Sequence, residues 1–416
     1  MLSPPKSHFS STKNIFVLAV AWTVCLVSPM FNSEKFAIVG FGVMGLFFYI
    51  YRLGRISRFE NIELGAILLS VFTILPFAFY HDTEIIRNGI SLVLGILVLY
   101  VIHIYSDASS LYLSKLWIFP YTALILFDVI WQWQTGADFF FGYEKLFGWK
   151  VTGPYPYVYI DTYALVFIPV AAYLRSIKLI SKSQGIIVII AWILMLILTG
   201  TRSAVLQLIS TWFVVWLLTF NFKSKQILHL IVIVPFATLI YMLFLEEFII
   251  SVNPQFFERL AHLAIMLKDL DLEGADNRWL LWSGFFNALA DWPHQFIFGH
   301  GFGMLLNVND IYFKDPNINI DDFQNIWFDI LFSIGVAGLI LIIISSYLFY
   351  KKYIFPVQSV PAKRCQLFLF LWFLSPLSVQ HKLMDVWYIL NIVLTLAFVI
   401  LIYKFNARKY TIVGSS

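Results

Sequence analysis

Hydrophobic residues in this chain come in long runs rather than in short amphipathic repeats. Mostly apolar runs occupy 14–31, 35–51, 64–80, 89–105, 111–131 and 158–174, then 184–200, 202–220, 226–246, 325–349, 365–379 and 386–403. Each run is near the ~20 residues a helix needs to cross the hydrocarbon core of a bilayer, and Gly, Pro and charged residues punctuate them. The pattern predicts an all-α polytopic membrane protein of about 12 transmembrane helices, one helical domain over residues 1–416 with the lipid bilayer as its partner.

Most connections are short. The exception is residues 247–323, a large polar loop between the ninth and tenth runs. Within it, Phe256, Leu260, Leu263 and Leu267 form one stripe over 256–268, with Glu258, Arg259 and His262 off it. From Asp276 to Asp291 the repeat Trp279, Trp282, Phe286 and Leu289 predicts a second helix with Asp276 as its cap. Both read as helices lying in the membrane interface.

Composition agrees: 60% hydrophobic and 12% charged residues exclude an ordinary soluble domain. The run from residue 14 reads as a retained first helix rather than a cleaved leader. Two cysteines, Cys25 and Cys365, exclude a disulfide framework. The net charge of +4 matters less than its distribution. Arg52, Arg55, Arg58, Lys115, Arg175, Lys178, Lys182, Lys223, Lys225, Lys351, Lys352, Lys363, Arg364, Lys404, Arg408 and Lys409 fall on one side of the ladder, with Lys35, Arg87 and Lys382 as exceptions in the short loops on the other. By the positive-inside rule both termini are cytoplasmic, and residues 132–157 and 247–323 face outward. No nucleic-acid partner is expected. The absence of an internal repeat, with few ionisable groups in mid-span, argues against a repeat-built transporter or flippase, the reading from another functional class.

The chemistry gathers at the outer face. Thr199-Gly200-Thr201-Arg202-Ser203 ends one run and opens the next with almost no loop, so Arg202 occupies the first turn of a helix. A cation there opposes the helix dipole, and becomes favourable once an anion is bound by the guanidinium and the free backbone N–H groups. The alternative is a guanidinium snorkelling to the headgroups; the dipole conflict favours the anion. Arg278 stands at a second helix start on the same face, and two guanidiniums can clamp a pyrophosphate. Gly299-His300-Gly301-Phe302-Gly303 reads as a tight turn. Asp322, Gln324 and Asn325 lead into the tenth run, where Asp329 lies one turn on from Asn325 and could accept a proton from a sugar hydroxyl. No metal-ligand spacing occurs, so neither metal nor cofactor is expected. The aromatic outer stretch Phe139 to Tyr163, with Trp149 and Tyr155, has two readings: stacking on an acceptor sugar, or interfacial anchoring.

The ordered set Thr199-Gly200-Thr201-Arg202-Ser203-Ala204, Arg278-Trp279-x-x-Trp282, Pro293, Gly299-His300-Gly301-Phe302-Gly303 and Gln324-Asn325 with Gly335-x-x-Gly338 resembles the O-antigen ligase and polymerase superfamily. The resemblance covers about residues 185–350. It implies a metal-independent glycosyltransferase of the bacterial inner membrane, with its active site facing the periplasm and a glycan on undecaprenyl pyrophosphate as donor. It implies that Arg202 and Arg278 contact the pyrophosphate, with Thr201, Ser203, Trp279, Gly301, Gln324 and Asn325 around the substrate. Family ligases carry a histidine where this chain has Gln324, and a glutamine cannot act as general base. Asp329, Asp322 and His300 are the remaining bases, unless leaving-group stabilisation suffices. The departure tilts the reading toward a polymerase; a ligase to lipid A core and a protein O-oligosaccharyltransferase share the donor chemistry and stay open.

Overall fold

The computed structural model describes residues 12–27, 30, 83–108, 110–146, 150–155, 159–219, 282, 284–287, 295–300, 326–372 and 386–413. In chain order its helices are α1 (Thr12–Val27), α2 (Thr83–Tyr105), α3 (Ser110–Thr135), α4 (Ile160–Ser176), α5 (Lys182–Thr199), α6 (Arg202–Thr219), the single turn α7 (Gln295–Phe298), α8 (Ile326–Phe349), α9 (Val360–Trp372) and α10 (Val386–Val413). A π-helical turn, Tyr350–Ile354, continues α8. Among the described residues, extended pairing is limited to the isolated bridges Ala137–Glu144 and Leu146–Lys150.

Four helical stretches among the described residues are long and apolar enough to cross a bilayer: Ser110–Thr135, Lys182–Thr199, Trp327–Ile354 and Leu390–Ala407. The all-α membrane reading holds. The expected spans over 35–51, 64–80 and 226–246, and the surface helix over 256–268, lie outside the described residues. Four helices outrun their apolar patterns, α2 from Thr83 and α9 from Val360 at their starts, α3 and α10 at their ends. α3 reaches Thr135 and α10 reaches Val413, because polar residues such as Gln132, Gln134, Lys404 and Asn406 end a hydrophobic run without breaking a helix.

α4 is the axis of the bundle. It is apolar on every side, as an interior helix must be, and Leu165, Val166, Phe167, Ala171 and Leu174 are all buried. It packs against α5, α6, α9 and α10, and α10 also contacts α1, α2 and α3. The α4–α5 hairpin is built from local signals. Lys178 adopts a left-handed φ of 59°, and the Leu179 N–H bonds back to the Leu174 carbonyl at 2.9 Å. Ser181 then caps α5 in a reciprocal box with Gln184. Gly185 lets the two helices close, since a Cβ there would stand 3.0 Å from the Arg175 Cβ.

These hairpins put the end of α3, the start of α4, the end of α5 and the start of α6 at one end of the bundle. Basic residues gather at the other. Lys404 donates to the His103 and Ser106 carbonyls at the end of α2, and Arg364 donates to the Thr219 hydroxyl at the end of α6, at 2.9 Å. Cations beside helix C-termini are stabilised by the dipole. Cys25 and Cys365 are buried free thiols.

At the first end, residues 136–146 and 150–155 fold back as a hydrogen-bonded cap. Gln132 is fully buried, and its amide joins three stretches of chain. Its Oε1 accepts from Thr152 and Gly153 N–H at 2.7 and 2.8 Å, and its Nε2 donates to the Tyr143 carbonyl at 2.8 Å. Asp138 accepts from the N–H groups of Phe140, Phe141 and Tyr143. Tyrosine hydroxyls meet the last carbonyls around α1: Tyr163 reaches Cys25 at 2.7 Å and Tyr121 reaches Leu26 at 3.4 Å.

Replacing Gln132 by Leu keeps the volume and removes the acceptor of two buried N–H groups, each worth ~1–3 kcal/mol when orphaned. Q132L should therefore lower the melting temperature of the detergent-solubilised protein by several degrees, read by intrinsic tryptophan fluorescence; unchanged melting would contradict the cap.

Candidate functional site

The α5–α6 junction forms as its spacing predicts. Gly200 is the C-cap of α5 in the left-handed region, φ 66° and ψ 24°, with its N–H on the Ile197 carbonyl at 3.1 Å. Thr201 follows, and α6 starts at Arg202. Thr199 and Thr201 are buried; the Thr201 hydroxyl donates to that of Thr199 at 3.3 Å, which donates to the Leu196 carbonyl at 2.9 Å. Down the helix, Ala204, Gln207, Thr211 and Val215 form one buried face, and the Gln207 amide donates to the Trp372 carbonyl at the end of α9. That face is held, so the rotation of α6 and the position of its first turn are fixed.

The first half of α8 is the second centre. Asp329 is buried in its first turn, where the N-terminal dipole favours a carboxylate. One residue before it, Phe328 stacks on buried Phe285 at 4.4 Å and 11°, with Trp282 and Phe286 each meeting its ring at 5.7 Å. Residues 282 and 284–287 are helical, so the outer loop docks on α8 through the helix expected after Asp276. Three residues after Asp329, Phe332 stacks face to face with His300 at 4.3 Å and 4°, and its carbonyl accepts the His300 N–H at 2.7 Å. Ser333, next along, is 1% exposed.

α8 is not continuous. Gly335 has φ 63° and ψ −171°, a conformation essentially confined to glycine, and it bends the helix where the sequence predicts an unbroken run. α7 and Gly299, itself at φ 80°, fill the bend.

His300 and Asp329 are thus brought to one stretch of α8. Burial holds the His300 imidazole down at about 4, against a smaller upward pull from its backbone bond to Phe332. It is neutral at neutral pH and a weak proton acceptor, sandwiched by packing rather than open to solvent. For Arg202 and Ser203 the backbone is described and the side chains lie outside the described residues. Arg278, Trp279, Gly301, Asp322, Gln324 and Asn325 lie outside them altogether. Among the described residues, no group of three or more His, Cys, Asp or Glu is placed to hold a metal ion.

In the first half, Tyr155 is fully buried, hydrogen-bonded to Tyr121 and stacked on Tyr163 at 5.6 Å. It belongs to the core and has no open face for a sugar. Phe139, Phe140 and Phe141 are the exposed rings of that cap, and Trp149 lies outside the described residues. Sequence reasoning misses Phe328, Phe332 and Ser333; the glycine inside an apolar run at 335 is the signal that points to them.

Residues 186–343 match the family described as O-antigen ligase. The matched segment runs from the first turns of α5 through the outer loop into α8, so it contains both centres. Among curated proteins, none matches the chain. The match supports the resemblance read from the motifs, and with it a membrane enzyme of the O-antigen ligase or polymerase type whose substrates are lipid-linked glycans in general.

The low His300 value fixes a pH dependence. An unfolded histidine takes its proton near 6.5, whereas this one does so only near about 4. Stability is therefore complete above pH 6.5 and falls between 6.5 and 4, by roughly 3 kcal/mol at the limit. Melting temperatures over this range should decline less steeply in H300F, which keeps the stack and removes the titration.

Proposed function

We propose that the protein transfers a glycan from undecaprenyl pyrophosphate to a sugar hydroxyl at the periplasmic face of the inner membrane, acting as a polymerase of cell-surface polysaccharide. The observation that carries the reading is the α5–α6 junction: a single left-handed glycine ends α5 and α6 starts at Arg202, which sets a helix N-terminus, the end of a helix that favours an anion, at one end of the bundle. The motif-bearing match over residues 186–343 supports the same chemistry.

In this mechanism the acceptor oxygen attacks the anomeric carbon of the donor, and the bond from that carbon to the pyrophosphate oxygen breaks. Negative charge grows on the departing pyrophosphate. Arg202, from the first turn of α6, and Arg278, from the outer loop docked on Phe328, neutralise it; donors aimed at developing charge often lower such barriers more than any other single effect. The acceptor proton passes to Asp329 or to a phosphate oxygen. Of the two described candidates, Asp329 sits in the first turn of a helix, where a carboxylate is favoured, while His300 is too weak a base at neutral pH; Asp322 is the third candidate. Thr201, Ser203, Gln324 and Asn325 line the substrate.

Gln324, standing where family ligases have histidine, favours the polymerase over the ligase. Deleting the gene in its native host separates them. Lipid A core bearing a single repeat, with no long lipid-linked chains, is the expected polymerase result. Bare core with long chains stranded on undecaprenyl pyrophosphate would assign a ligase instead.

Arg202→Ala and Arg278→Ala should each reduce transfer by at least ~10²-fold, the usual loss for one charge-stabilising donor, with unchanged protein in the membrane. Transfer at the wild-type rate in either variant rules out the pyrophosphate clamp.

A further inference from the structure

We propose that the break in α8 is a positioning clasp, in which Gly299 and Gly335 interlock and seat the end of the outer loop at one register beside the turn that carries Asp329. The inference rests on the transferase reading and adds residues to it.

Three observations converge. First, the contact is backbone on backbone and reciprocal. A Cβ on Gly335 would overlap the Ile297 carbonyl and stand 2.6 Å from the Gly299 nitrogen, and a Cβ on Gly299 would overlap the Ser333 carbonyl. Neither position has room for a side chain, and both backbones occupy positive φ. Second, the carbonyl that a continuous helix would give to Val336 is that of Phe332, and it accepts the His300 N–H at 2.7 Å. The loop thus completes the hydrogen bonding of the helix it docks on. Third, the stacked rings of His300 and Phe332 fix the approach angle. A helix bend held only for packing needs one glycine; two glycines facing each other set a register between two segments.

The register is valuable to a reaction. With Phe328 holding the loop one turn away, α8 pins both sides of the loop within the stretch from Phe328 to Gly335, and Asp329 lies between the pins. Misplacement of reacting groups by about 1 Å costs ~10²-fold in rate. Gly299, Phe332 and Gly335 are therefore positioning residues that act through Asp329 and the loop.

The test uses the full-length protein in detergent with undecaprenyl-pyrophosphate glycan from the native host as donor, and hydrogen exchange on the same samples. Gly335→Ala and Gly299→Ala should speed exchange of the His300 amide and lower kcat by at least about tenfold while the donor KM stays within about threefold. Phe332→Leu, which leaves the backbone contact intact, should give a smaller kcat loss in the same direction, and carries the test if the glycine variants fail to accumulate. Faster exchange at His300 with kcat within about threefold of wild type overturns the positioning role, as does an unchanged kcat in Phe332→Leu. Exchange is independent of substrate, so an inactive wild type whose His300 amide still responds to Gly335→Ala counts against the transferase reading and not against the clasp.

Discussion

Inside a bilayer every backbone N–H and carbonyl must find its partner within the protein, because no water is there to serve as one. The site depends on how this chain meets that demand where its helices stop or bend. At Gly335 the helix gives up its regular bonding, and the outer loop supplies the missing donor from His300. At Gly200 one helix ends and the next begins within two residues, with the glycine N–H turned back on its own helix. At the end of α1, tyrosine hydroxyls from α3 and α4 take the carbonyls. The interruptions at Gly335 and at the end of α1 are therefore also joints between segments distant in sequence, whereas the one at Gly200 is closed by its own helix.

The bundle divides into a scaffold and a docking post. α4, buried on all sides, fixes α5, α6 and α9 around it, and through them the first turn of α6. α8 is the post, because its first half accepts aromatic rings from two separate parts of the loop, Phe285 on Phe328 and His300 on Phe332. Two ring stacks a helical turn apart define an orientation, which one stack cannot.

Much of this was legible in the sequence. Apolar runs and their punctuation located the four described helices long and apolar enough to cross a bilayer, and the one-glycine punctuation at Gly200 placed the start of α6, since a left-handed C-cap is local chemistry. The break in α8 was not legible in the same way. Hydropathy continues across Gly335 without change, and what bends the helix is a partner more than thirty residues away. Tyr155 misled for the opposite reason: its Gly-Pro-Tyr-Pro-Tyr neighbourhood reads as an exposed loop, but the hydroxyl finds Tyr121 and the ring is drawn into the core. The role of Gln132 was also hidden, because a lone amide at the end of an apolar run carries no sign of the segments it will join.

The two-residue connection between α5 and α6 also bears on how the protein is made. Helices joined so tightly cannot enter a membrane one after the other, since the second begins before the first could settle across it. A pair joined by two residues is built to enter as a hairpin, tip first. On the proposed topology that tip carries Arg202 through the apolar layer, a passage costing about 2.5–3.5 kcal/mol at mid-depth for a single arginine and offset by the apolar length of the two helices behind it. On that route the turn proposed to form the anion site is also the first part of the pair to cross the apolar layer.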